Sequence, residues 1–204
     1  MQLDAPLRTV TASVDGDVLS VLARSDSEHT VADLRRIIDS RSSEGIRRAL
    51  HRLVAQGVVL NRHVGRSIAY RLNVDHLAAN AIVELSAIPS TLRTRITHAL
   101  EESPDPPLFA AMFGSAARGS MTEHSDIDIA LIHRGTSTEP RENEIAALEH
   151  DISLWTGNDC RVLSLTEAEI RGQQANEPVL VDILNHAITL YGDREAFRAL
   201  IRPQ

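Results

Sequence analysis

The chain has 204 residues, 43% hydrophobic and 24% charged, the balance of a folded protein rather than a disordered one. Aromatic residues make up only 3%, so the core must be built from Leu, Ile, Val and Ala, which argues against an all-β sandwich. A single cysteine, Cys160, excludes an internal disulfide and a cysteine-rich zinc site, and reads as a small buried side chain. No apolar run approaches the ~20 residues of a membrane span, and residues 1–10 carry Asp4 and lack a signal core. A cytoplasmic protein with no membrane partner is expected.

The net charge is −7, which by itself disfavours nucleic-acid binding. Its distribution is uneven. Residues 1–88 hold eleven Arg against ten Asp and Glu, whereas the remainder holds ten Arg against eighteen acids. There is no Lys, so every fixed cation is an Arg.

In chain order, residues 17–23 read as a short helix. Thr30 is a candidate N-cap for a helix over 31–38. Residues 43–56 form a third helix, with Ile46, Leu50 and Leu53 on one face and Gly57 as its stop. Residues 58–60 and 68–72 read as two short strands around a polar tip, 61–67. Three helices followed by a hairpin is the winged-helix plan, and residues 31–72 resemble the winged-helix regulators of the MarR and TrmB type.

The face of the third helix opposite its apolar residues carries Arg47, Arg48, His51 and Arg52, with Ser43 and Glu44 at its start. Arg62 and Arg66 lie in the hairpin. In helix-turn-helix proteins such a helix enters the major groove, where Arg pairs with guanine, while wing arginines reach phosphates or the minor groove. Double-stranded DNA is the expected partner. Fewer than ten basic contacts per chain point to a homodimer.

Residues 76–100 read as helical with an interruption at Pro89, and 103–107, with three prolines in four residues, as a linker. Beyond it, strands at 108–113, 126–132 and 160–165 alternate with helices at 141–155, 178–187 and 194–201, an α/β pattern. The expected organisation is a two-domain α/β (α+β) chain. Residues 11–75 form a winged helix-turn-helix DNA-binding domain, 76–107 a helical and Pro-rich connector, and 108–204 a small mixed sheet with flanking helices.

The sharpest motif is Gly114-Ser115, ten residues, then Asp126-Ile127-Asp128. The small-residue turn brings backbone N–H groups and a hydroxyl to a helix start, suited to a triphosphate. Asp126 and Asp128 alternate on a strand, so both carboxylates leave on one face and can converge on Mg²⁺. Ile127 and Ile129 then face the core. Arg118 stands close enough to neutralise phosphate charge.

Gly-Ser-Ala-Ala-Arg-Gly followed by Ser-Asp-Ile-Asp-Ile-Ala resembles the DNA polymerase β-type nucleotidyltransferase superfamily in its minimal form, over about 108–191. The resemblance implies Mg²⁺-dependent transfer of a nucleoside monophosphate from a nucleoside triphosphate to an acceptor. It makes Asp126 and Asp128 metal ligands, and Gly114 and Ser115 the phosphate cradle. Minimal members include antitoxins that adenylylate a toxin and enzymes that modify aminoglycosides, so a protein acceptor is one possibility.

Members of that superfamily carry a third carboxylate on the next strand. Here the segment is Thr156-Gly157-Asn158-Asp159-Cys160-Arg161-Val162-Leu163, and the expected acid falls on Arg161. Three accounts stay open. Asp159, two residues earlier on the same strand face, takes the catalytic part through a shift or bulge. Arg161 binds phosphate in a one-metal site. Or the domain binds a nucleotide without transferring it, serving a transcriptional regulator. A scaffold that only dimerises the first domain is a further alternative. His124 reads as a loop histidine and Trp155 as a packing residue, and His186 and Tyr191 are given no chemistry.

Overall fold

Thr30 and Ser42 set the helices of the first part of the chain. The Thr30 hydroxyl accepts from the Asp33 N–H while the Asp33 carboxylate accepts from the Thr30 N–H, a reciprocal cap. Ser42 accepts from the Gly45 N–H at 3.1 Å. In this computed structural model, residues 1–136, 138–172 and 177–201 are described. The chain divides into two units, Ala5–Pro89 and Met1–Asp4 with Ser90–Gln204.

In the Ala5–Pro89 unit, a 3-10 turn at Pro6–Thr9 leads to α1 (Val14–Ala23), β1 (His29–Thr30), α2 (Val31–Ile37), α3 (Ser43–Ala55), β2 (Val59–Val64), β3 (Ser67–Leu72) and α4 (Ala79–Ser86). The strands form one antiparallel sheet in the order β1-β3-β2. Val18, Leu22, Leu34, Ile46 and Leu50 are almost fully buried and join in one core. Beside that core sits Asp17, its carboxylate paired with Arg8 at 2.7 Å and Arg41 at 2.6 Å. The hairpin is longer than the sequence suggested. β2 and β3 pair as far as Val64 opposite Ser67, leaving Gly65 and Arg66 as the turn. Gly65 takes a φ of +60°, which a two-residue loop requires and a polar sequence does not announce.

The second unit contains most of α5 (Ile88–Glu101), then β4 (Phe109–Phe113), α6 (Gly114–Arg118), β5 (Ile127–His133), α7 (Glu139–Thr156), β6 (Cys160–Thr166), α8 (Glu167–Gly172), α9 (Pro178–His186), β7 (Ile188–Gly192) and α10 (Arg194–Ile201). Its sheet runs β6-β5-β4-β7, with β5 and β6 parallel and the other pairs antiparallel. Strand alternation divides the core in two. Ile127, Ile129 and Leu131 pack on one face with Leu92, Ile96 and Leu100 of α5. Ala130 and Ile132 pack on the other with Phe109 and Phe197, whose rings stack at 4.5 Å. The expected connector at 76–107 is therefore shared out. α5 supplies core to the second unit, and Asp105 of the proline-rich stretch anchors Arg141 of α7.

His133 ends β5, 4% exposed, with neither ring nitrogen hydrogen-bonded among the described residues. Burial, and after it the Arg141 cation, push its pKa below the usual 6.5. The unfolded chain therefore binds this proton more readily than the folded one. The stability tied to neutral His133 is full above about pH 6.5 and falls as pH drops toward the lowered folded pKa. Thermal midpoints between pH 7.5 and 5 should decline more steeply for the native chain than for His133→Phe; parallel curves would refute this.

Candidate functional site

The site grows from the register of three strands. Phe113 of β4 lies opposite Asp128 of β5, and Asp128 lies beside Arg161 of β6. Ile127 and Ile129 are fully buried, so alternation turns Asp126 and Asp128 toward the other face. Asp126 precedes β5 by one residue, and its side chain is 29% exposed.

Directly after Phe113 the chain turns back over Asp128 at Gly114, with φ at +67°. A Cβ at Gly114 would lie 2.3 Å from Asp128 Oδ2, closer than any side chain tolerates. The left-handed conformation and the close approach both demand glycine here. Burial comes first in raising the Asp128 pKa above the ordinary carboxylate range, followed by the charge of Asp126. Arg161 and Arg118 act in the opposite direction.

Ser115 follows on the short helix α6, and its hydroxyl makes no hydrogen bond among the described residues. Arg118 closes α6, with Nη1 donating to Asp182 of α9 at 2.8 and 3.0 Å. Asp182 also contacts His186 Nδ1 at 3.1 Å. Asp182 and His186 thus join the site's charge network, although no spacing in the sequence singles them out. They lie 64 and 68 residues after Arg118, and α9 alone brings them there.

Arg161 stands where the third carboxylate was expected. Its Nη2 is 2.9 Å from Asp126 Oδ2, and its side chain is 73% exposed. Asp159 precedes β6, exposed, two residues before Arg161 and of the same strand parity. Its carbonyl accepts from the Ile127 N–H at 2.8 Å, and its carboxylate forms no ion pair among the described residues. No bulge interrupts the β5–β6 register, so Asp159 does not move into the Arg161 position.

The donor set can be tested against Mg²⁺. Two carboxylates on one face, one of them held by a glycine cradle, fit a single hard cation completed by other oxygens. Among the described residues no third His, Cys, Asp or Glu joins them. A second cation would meet Arg161. At about 5 Å and an effective dielectric of 20, two unit charges interact by ~3 kcal/mol.

The other singled-out residues scatter. His124 is exposed beside Glu123, and Arg95 stacks over the half-buried Trp155 at 5.6 Å. The Cys160 thiol is pushed up to about 12 by burial, then by Glu149 and Asp128, so it is held protonated. On α3, Arg47, Arg48 and His51 are exposed and Ser43 is half-buried. Arg48 donates to Glu44 at 2.9 Å, with Arg47 at 3.9 Å. Arg52 is bound to Asp15 through two contacts, at 2.6 and 3.1 Å, and Arg62 to Glu28 at 2.6 Å. The pairings with Arg52 and Arg62 lower the pKa of Asp15 and Glu28, with the Arg hydrogen bond as the leading cause in both. Arg66 is exposed at the hairpin turn.

Gly114→Ala should destabilise the chain by about 1–3 kcal/mol, from left-handed strain and collision with Asp128. Part of that cost should vanish in Gly114→Ala with Asp128→Ala, where the colliding carboxylate is gone. A denaturant double-mutant cycle measures this coupling, and strict additivity would contradict the contact.

No curated protein sequence matches the chain. Among solved structures, a toxin–antitoxin complex with AMP-PNP shares 16% identity over 53% of this chain and 80% of its own, with a TM-score of 0.41. Two mutants of the toxin–antitoxin pair MntA–HpeT give 14% and 18% identity over 53% of this chain and 80% and 78% of theirs, with TM-scores of 0.40 and 0.39. The family described as "Polymerase beta, Nucleotidyltransferase" matches residues 94–195. That span is half of the chain and includes β4, the Gly114–Ser115 turn, both aspartates and Arg161, so this protein belongs to the polymerase beta nucleotidyltransferase family.

Proposed function

We propose that this chain is a DNA-binding protein whose second unit binds a nucleoside triphosphate with Mg²⁺ and transfers a nucleoside monophosphate to an acceptor. The observation that carries the reading is the contact of Gly114 with Asp128. A backbone turn closed against a partly buried carboxylate has no use in a scaffold, and it holds one acid at a fixed place beside a second. Asp126 and Asp128 would hold the Mg²⁺, which supplies positive charge to the phosphates when bound. Gly114 and Ser115 would cradle the phosphate chain. Arg161 would leave Asp126 for phosphate oxygens, and Arg118, held by Asp182, would add charge at the same side. Asp159 is then the carboxylate left to accept the proton of the acceptor hydroxyl. A protein acceptor is the class implied by the minimal members that the motif resembles.

Arg161 also favours a second reading, a regulator that binds the nucleotide without transferring it. Under both readings the Ala5–Pro89 unit is a winged helix acting on double-stranded DNA as a homodimer. Arg47, Arg48 and His51 would face the major groove and Arg66 would lie on the wing. Arg52 and Arg62 are already bound within the unit and would have to exchange Asp15 and Glu28 for phosphate.

Calorimetry with ATP, GTP, CTP and UTP, with and without Mg²⁺, should show Mg²⁺-dependent binding. Asp126→Ala with Asp128→Ala should weaken it at least about tenfold. Pyrophosphate release and a mass increase on an acceptor, both lost in Asp159→Asn, would support transfer. Binding without release would favour the regulator, and no binding at all would sink both readings. On DNA, Arg47→Ala should cost about 1–3 kcal/mol and relax the preference at the base it reads. Unchanged affinity and preference would remove Arg47 from the base contacts.

A further inference from the structure

Asp126 lies one residue outside β5, so its place is set by the loop before it as well as by the sheet. Two bonds from one short segment close on either side of it. The side-chain amide of Asn158 donates through Nδ2 to the Ser125 carbonyl at 2.8 Å, and the Asp159 carbonyl accepts from the Ile127 N–H at 2.8 Å. The chain on both sides of Asp126 is thereby tied to the step that leads into β6. That step carries Asp159 and, two residues on, Arg161. The loop before Asp126 is closed on itself: Ser125 Oγ accepts from the Thr122 N–H at 2.9 Å, and the Ser125 N–H donates to the Thr122 carbonyl at 3.3 Å. Such a loop turns as one piece, and a bond to Ser125 from outside it sets its angle.

Asn158 is itself held firmly. It is 5% exposed, and it follows Gly157, whose φ of +71° ends α7 and turns the chain toward β6. Its N–H donates to Thr156 Oγ1 at 3.2 Å, and that hydroxyl donates in turn to the Ile152 carbonyl at 2.7 Å. Its Oδ1 accepts from the Met1 amino group, while Gln2 Nε2 donates to the Met121 carbonyl at 3.3 Å. Leu3 packs in the core that holds Ile127, Ile129 and Ile152. The amide can therefore stand only one way round, since the reverse would set its NH2 against an amino group and its oxygen against a carbonyl. A buried amide whose oxygen is held by one segment and whose nitrogen reaches another acts as a strut.

We propose that Asn158 is a positioning residue for Asp126: its bond to the Ser125 carbonyl holds that carboxylate in place relative to Asp128, Asp159 and Arg161. The inference rests on the reading of Asp126 and Asp128 as a cation site. Ile127 and Ile129 are fully buried and anchor β5 whatever Asp126 does, so the tie acts on the acid that the strand itself does not hold. Arg161, the other partner of Asp126, is mostly in solvent and holds it only weakly. A cation that needs both carboxylates at once binds well only where their separation is fixed beforehand.

The test uses the full chain with two readouts: Mn²⁺ binding, followed by electron paramagnetic resonance, and amide hydrogen exchange, followed by NMR without any metal. Asn158→Ala should weaken Mn²⁺ binding at least about tenfold and should speed exchange at Ile127 at least about tenfold relative to Ile129. Asn158→Asp keeps the shape and the acceptor toward Met1 but loses the N–H donor. It should speed the same exchange, which is its only readout, because its added charge bears on the cation directly. Leu148→Ala thins the core of the same unit and touches neither tie. It should lower the thermal midpoint and leave both the Mn²⁺ affinity and the Ile127-to-Ile129 ratio as in the native chain. Thermal unfolding of each variant checks that it is folded. Mn²⁺ affinity untouched by Asn158→Ala, exchange unchanged in both Asn158 variants, faster exchange confined to Asn158→Ala, or an equal effect of Leu148→Ala would each overturn the proposal. A native chain that binds no Mn²⁺ would instead overturn the cation reading, and the exchange ratio would still decide whether Asn158 holds the loop.

Discussion

Gly114 touches the Asp128 carboxylate so closely that a single added carbon would collide with it, and the rest of the site is arranged around that contact. Ile127 and Ile129 in the core force Asp126 and Asp128 onto one face, where two like charges stand together. Burial first, and then the charge of Asp126, raises the Asp128 pKa. The neighbours relieve it. Arg161 pairs with Asp126, and Arg118 lies near enough to lower Asp128 while bound to Asp182. The fold keeps an unfavourable pair of acids in place and surrounds it with cations on other elements.

The same economy of charge shapes the first unit. Its arginines are mostly matched with acids of that unit: Arg8 and Arg41 with Asp17, Arg52 with Asp15, Arg62 with Glu28, and Arg47 and Arg48 with Glu44. The buried Asp17 pair is structural, because it ties the 3-10 turn and the α2–α3 connection to α1. The others are surface pairs of small individual worth. A polyanion can therefore displace them at little cost, but the number of cations free beforehand is smaller than the sequence count of Arg implies. Under the proposed DNA reading, such a face would discriminate through a few contacts and would need a second copy for affinity.

Much of this was legible in the sequence because the decisive features are local. Strand alternation placed Ile127 and Ile129 inward and the acids together. The resemblance of the segment Thr156–Leu163 to the family's next strand put Arg161 at the missing carboxylate, and the unbroken β5–β6 register seats it directly beside Asp128. What stayed hidden depends on contacts between distant residues. Nothing near Asp182 marks it as the partner of Arg118, and nothing near His133 announces a buried ring without a hydrogen bond among the described residues. The strand β7 was missed because Ile188-Thr189-Leu190-Tyr191 is too short to show a period; it acquires its identity by pairing with β4 across a bulge at Ala110/Ala111. Residues 88–101 looked like connector because Pro89 suggested a break, whereas proline in the first turn of α5 is compatible with a helix start.

Arg161 gives the site its character. Its pair with Asp126 is short, but the guanidinium is mostly in solvent, and exposed pairs contribute only about 0–1 kcal/mol. Charge–charge attraction to a triphosphate at about 5 Å amounts to ~3 kcal/mol per unit charge at a dielectric of 20. On the same scale the single charge of Asp126 attracts the guanidinium at least as strongly per unit charge, so a nucleotide would compete for it through the several charges of its phosphates, and the exposed side chain can make that exchange without unfolding anything. A fixed cation then stands in place of charge that a second metal ion brings elsewhere in the fold, while the proton-accepting carboxylate is lost from that position. Under the proposed function, binding and transfer would thereby part at one residue: Arg161 would keep the phosphate contact, and Asp159, two residues earlier in the chain, would have to take the proton.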